Sequence, residues 1–129
     1  MTLPTDKQER KNLPLCTGVL DYFPDALAAV AATSKAGNDQ HNPGQPLHWA
    51  KEKSTDHADC ILRHLVDRGT MDTDGIRHSA KVAWRALALL QIEIENEKKE
   101  KLSDFIKIPF ETAPVFKPIP MMIENKDDI

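Results

Sequence analysis

The chain has 129 residues and a formal net charge of -3, which fits one small domain and gives no global argument for duplex nucleic acid. Its two cysteines, Cys16 and Cys60, make no disulfide framework, and no apolar run approaches the ~20 residues of a membrane span. The first ten residues lack the apolar core of a secretion signal, so the expectation is a soluble cytoplasmic protein without membrane contact.

Residues 1–20 read as a polar leader. The first helix is expected to start at Asp21 to Pro24, run through an alanine-rich stretch and stop at Gly37, because proline suits a first turn and glycine a helix end. Residues 37–53 read as a loop held by Pro43, Gly44 and Pro46 and anchored by Trp49. A loop this long in a compact domain is more often functional than idle.

The second helix is expected from Ser54 or Thr55 to Arg68, with Gly69 as its stop. Ala58, Ile61, Leu62, Leu65 and Val66 recur at helical spacing and predict its core face, with His57, His64 and Arg68 along the border. Asp59 and Arg63 predict a surface pair one turn apart.

The third helix is expected from Asp72 to Asp74 to beyond Glu95. Ile76, Ala80, Ala83, Leu87, Leu90 and Ile94 form one apolar strip, and Val82, Ala86 and Leu89 form another. Two strips call for two partners, and a short chain has few helices to offer, so a homo-oligomer is expected. His78, Lys81 and Arg85 make a cationic ridge beside them. Pro109, Pro114, Pro118 and Pro120 forbid a continuous helix in residues 103–129, which are nevertheless apolar and read as an extended arm. The prediction is an all-α, three-helix protomer formed by residues 21–102, with a proline-rich C-terminal arm.

All five histidines and both tryptophans fall between His41 and Trp84, and the chemistry is concentrated there. His57, His64 and Arg68 lie on one side of a helix, a donor row suited to phosphate; the same residues also describe boundary histidines beside a core stripe. Asp72 and Asp74 read as a cap for the third helix, or as metal ligands shared with His64 or His78. A calcium loop is excluded, because its glycine and glutamate positions hold Arg77 and Ala83. Trp49 is the better candidate for stacking on a base, and Trp84 for packing. Glu97, Glu100, Glu124 and Asp127 also spell an acidic string found in all-α pyrophosphohydrolases, which charge-rich chain ends produce easily.

Taken in order, these features carry a resemblance. A glycine follows the first helix, then come a loop with Trp49, an aspartate at Asp56 or Asp59, and the pair Arg63-His64. Asp72 to Gly75, His78 and an alanine-rich helix to Leu90 complete the series. Over about residues 35–95 the chain resembles the small phage-encoded domain named for dATP/dGTP diphosphohydrolases. The resemblance implies a purine deoxynucleotide as ligand, removal of pyrophosphate or phosphate as chemistry, and functional roles for Arg63, His64, Asp72, Asp74 and His78. The combined expectation is a purine-nucleotide site drawing on Trp49, His57, Arg63, His64, Arg68, His78, Lys81 and Arg85. In the enzyme version Asp72, Asp74 and His64 hold or serve a divalent metal, magnesium or manganese, that activates water on a phosphoanhydride. In the binding version a phage protein sequesters a nucleotide immune signal of its host intact; a structural helical module is the third reading.

Overall fold

The computed structural model describes residues 3–106, which are helical without strands. The helices are α1 (Lys7–Lys11), α2 (Pro24–His41), α3 (His57–Val66) and α4 (His78–Phe105), with a π-helical turn at Cys16–Leu20 and a 3-10 turn at Lys51–Lys53. The extra helix, α1, lies in the leader. The Asp6 carboxylate accepts the N–H groups of Gln8 and Glu9, both at 3.0 Å, and so caps it. Residues 107–129, most of the expected arm, lie outside the described residues; α4 itself continues through Phe105.

Residues Met1–Glu93 form one compact unit, and a second begins at Ile94. In the described part of the second unit, Glu97 of the acidic string pairs with Lys101 at 2.9 Å. In the first unit, the N-terminal turns and α2 meet at 89°. Among the described residues no single helix is long and apolar enough to cross a membrane.

Three boundaries differ from the expectation. Gly37 does not stop α2, which runs to His41, with the Asn42 N–H bonded to the Asn38 carbonyl at 2.7 Å. Helix α3 begins at His57 and ends at Val66, and its exit turns on Gly69 at φ 84°. Helix α4 starts only at His78, because Asp72 and Asp74 spend their carboxylates on the preceding turn.

The inward face of α3 is also not the expected one. His57 and Cys60 are buried, Ile61 and His64 half-buried, whereas Ala58, Leu62 (60% exposed), Leu65 and Val66 (77% exposed) point outward. On α4 the inward line is Ala80, Trp84 and Ala88, while Leu87, Leu90 and Ile94 are exposed. The physical reason is a polar grip. Arg85 reaches His57 and Ser54, which fixes the rotation of α3 about its axis. Alanines at 80 and 88 leave room for the close approach. The leucine-rich stripe of α3 is therefore free in the single chain.

Candidate functional site

The link between α3 and α4 builds the first part of the site. After Gly69 the chain makes a small closed excursion: Met71 pairs with Arg77, the Asp72 N–H bonds to Ile76 O at 2.8 Å, and the Gly75 N–H to Asp72 O at 2.9 Å. Gly75, at φ 78°, occupies a left-handed turn position that side chains resist. The His78 N–H then bonds to Thr70 O at 3.1 Å, which returns the start of α4 to the end of α3. His64 and His78 consequently meet with their Nδ1 atoms 2.9 Å apart. One nitrogen must donate and the other accept, so the pair shares a proton between them.

The same turn gathers a cation. Lys81 Nζ lies 2.6 Å from Asp72 Oδ2 and 2.7 Å from Asp74 Oδ2. Asp72 also accepts the Thr73 N–H at 2.7 Å, and Asp74 accepts the Ile76 N–H at 3.0 Å. The Lys81 bond, aided by the Thr73 N–H, holds the Asp72 carboxyl down at about 2. Asp74 is lowered for the same first reason, Lys81, and then by the Ile76 N–H. Burial works against the charge of Lys81, but its two carboxylate partners outweigh it and raise its pKa.

A second cluster lies one turn along α4. Arg85 Nη1 donates to Ser54 Oγ at 2.7 Å and to His57 Nδ1 at 3.2 Å, and its guanidinium lies 5.6 Å from the centre of the Trp84 ring. With Nδ1 accepting, the His57 proton sits on Nε2, which is buried without a partner. Burial, then the charge of Arg85, lowers the His57 pKa and keeps the ring neutral. Burial followed by the Lys81 charge also lowers that of His64.

The third part is the loop. Asn38, buried on the last turn of α2, donates from Nδ2 to Gln45 O at 3.0 Å and accepts the His48 N–H on Oδ1 at 3.2 Å. This clasp delivers Trp49 edge-on to Trp84, with ring centres 5.5 Å apart and planes at 74°. Lys51 Nζ stands 5.1 Å from the Trp49 ring centre. Together these elements enclose a cleft of about 750 Å³, lined among others by Asn38, Trp49, Ser54, His64, Asp74, Lys81, Trp84 and Arg85. That volume suits a drug- or nucleotide-sized ligand.

Of the contacts expected from sequence, Trp49, His64, Lys81 and Arg85 line this cleft, and Asp74 joins them from the turn. His78 and Asp72 stand behind them, against His64 and Lys81. His57 is inside the fold and positions Arg85. Arg63 and Arg68 are elsewhere. Arg63 bonds to Cys60 Sγ at 2.9 Å and to Asp56 at 3.4 Å, instead of to Asp59, and Arg68 bonds to Leu65 O at 3.2 Å. The Asp56 carboxyl is lowered by Cys60 first and Arg63 second.

The sequence matches the dATP/dGTP diphosphohydrolase, N-terminal family over residues 4–102. The chain belongs to that family. The match reaches beyond the 35–95 block and takes in α1, the π turn and α2. No curated protein and no solved structure matches the chain. Two residues of this diphosphohydrolase N-terminal domain escaped the sequence reading, Asn38 and Ser54. Asn38 carries a legible signal: an asparagine near a helix end, followed by a proline- and glycine-rich loop, is suited to tie that loop down. Ser54 has none, because its role comes from a residue 31 positions away.

Proposed function

We propose that this domain binds a purine deoxynucleoside triphosphate in the cleft between the Trp49 loop and α4. The observation that carries the reading is the placement of Lys81, Arg85 and His64 with two tryptophans around one cavity, in a chain of this family. Arg85 commits Nη1 to Ser54 and His57, which leaves its remaining N–H donors to meet phosphate oxygens. Lys81, held by two aspartates, keeps a third donor. The neutral His64 contributes a hydrogen bond, not a charge. Trp49 offers a face for the base once the loop yields slightly.

The family name makes hydrolysis of a phosphoanhydride the expected chemistry. Retention of an intact nucleotide is the second reading, favoured by one observation: Asp74, the carboxylate of the α3–α4 turn that lines the cleft, is already bonded to Lys81 and the Ile76 N–H. Calorimetric titration with dATP, dGTP, dCTP and inorganic triphosphate, with and without magnesium or manganese, followed by heat release and chromatography, separates the readings. Tighter binding of the purine nucleotides is expected. Arg85→Ala should cost about 1.5–3 kcal/mol of affinity, roughly ten- to hundredfold. Metal-dependent product marks an enzyme, and recovered nucleotide marks sequestration. Absence of binding to every nucleotide overturns the proposal and leaves the structural module.

A further inference from the structure

We propose that His64, Asp72 and His78 form a binding site for a divalent transition-metal ion of the zinc, cobalt or manganese type. The proposal deepens the nucleotide reading of the adjoining cleft, which His64 also lines, yet the site can be tested without any nucleotide. Three separate places in the chain supply the ligands: the last turn of α3, the linking turn and the first residue of α4. One ligating atom from each lies within 4.8 Å of the other two, and all three residues are half-buried.

The spacing of the imidazoles is informative. Bonds of ~2.0–2.2 Å at the tetrahedral angle place neighbouring ligand atoms about 3.3–3.6 Å apart, so two imidazoles in hydrogen-bond contact need part by only about half an ångström to admit an ion. The two Nδ1 atoms are 2.9 Å apart. An ordinary hydrogen bond between two histidines has the same length, so the decisive feature is the third group. Asp72 is fixed beside the pair by backbone bonds at its own N–H and carbonyl. Asp74, expected from sequence to share the metal with Asp72 and with His64 or His78, faces the Ile76 N–H and Lys81 instead, which leaves both histidines with Asp72.

Ligand type then selects the ion. Imidazole nitrogens suit zinc and its neighbours, whereas magnesium demands oxygen donors and keeps its waters. Three protein ligands leave coordination positions open, as a site that meets a substrate requires and a purely structural zinc site does not. Lys81 is a competitor for Asp72, since its ammonium sits on Oδ2. A carboxylate has about four lone-pair positions, enough for the ammonium, the Thr73 N–H and a metal together. The neighbouring positive charge lowers the affinity and makes the ion exchangeable.

The test uses the full chain, stripped with chelator and free of nucleotide, titrated with zinc, cobalt, manganese and magnesium. One ion per chain is expected. Zinc and cobalt should bind at least about a hundredfold more tightly than magnesium, and cobalt should show visible absorption with nitrogen ligation. His78→Ala and Asp72→Asn should each weaken cobalt binding tenfold or more, and His41→Ala should leave it unchanged. Because a variant of the turn can lose its fold, the wild-type chain supplies the second measurement. Manganese should broaden the imidazole resonances of His64 and His78 ahead of the other histidines. No binding, cobalt affinity unchanged in both His64→Ala and His78→Ala, or broadening spread evenly over all five histidines overturns the site, leaving a plain histidine hydrogen bond. Metal binding without nucleotide binding would refute only the reading of the cleft, and nucleotide binding indifferent to chelator would refute only the metal.

Discussion

Replacing Asn38 by aspartate changes one N–H donor into an oxygen and almost nothing else in shape. The buried amide holds the loop with two bonds, Nδ2 to Gln45 O and His48 N–H to Oδ1. Aspartate keeps the second bond. It faces the Gln45 carbonyl with a carboxylate, stranding an acceptor at about 1–3 kcal/mol and adding the desolvation of a charge. The expected loss at pH 7 is about 2–4 kcal/mol, at least as large as the ~2 kcal/mol of Asn38→Ala, which gives up both bonds without introducing repulsion. The aspartate has a signature that alanine lacks. Burial beside a carbonyl raises its pKa, and once protonated it donates to Gln45 as the amide did. Relative to wild type at the same pH, the Asn38→Asp deficit should shrink between pH 7 and about 5, whereas the alanine deficit stays constant. Urea unfolding followed by circular dichroism and by tryptophan emission measures both, since Trp49 against Trp84 reports the loop. A deficit under about 0.5 kcal/mol at pH 7, or one indifferent to pH, would refute the clasp.

Arg85→Ala should destabilise the fold itself by about 2–3 kcal/mol in urea unfolding, because Ser54 and a buried His57 acceptor lose their partner; Arg85→Lys should recover only part, because its shorter stem ends before the Nη1 position and it lacks the planar group that lies over Trp84. Thermal melts from pH 8 to 5 should show stability falling as the pH drops below about 6.5. The folded His57 and His64 hold protons less readily than the unfolded chain, so acid favours unfolding there before any carboxylate titrates. A flat profile over that range contradicts the neutral rings of buried His57 and half-buried His64. Asp72, held at about 2, should keep its contribution at mildly acid pH and lose it only as the pH falls from near 4 towards 2, a loss absent in Asp72→Asn. For assembly, the outward stripe of α3 gives a direct check: the double change Leu65→Glu and Val66→Glu should reduce the mass seen by light scattering at micromolar concentration while leaving helix content intact, and an unchanged mass excludes that face as the contact.

The sequence alone determined the helical class, the positions of α2, α3 and α4 to within a few residues, the loop carrying Trp49 and the family. These follow from local rules: proline at a first turn, positive-φ glycines after a helix, apolar recurrence at helical spacing. The block from His41 to Trp84 also proved to supply most of the cleft, because chemistry-bearing side chains there are dense enough that any compact arrangement brings several together. The rotation of the helices was decided only in three dimensions. Periodicity assigned Leu62, Leu65 and Val66 to the core, yet the bonds from Arg85 to His57 and Ser54 span 28 and 31 residues and turn α3 the other way. The roles of the charged residues were settled in the same manner. Asp72 and Asp74 look like helix caps in a linear reading, but the turn stabilised by Gly75 carries them to Lys81 and brings His78 back to His64. A pattern along the chain reports which face of a helix is apolar; which polar group finds its partner across the fold decides which face is buried, since a stranded buried donor or charge costs more than an exposed leucine.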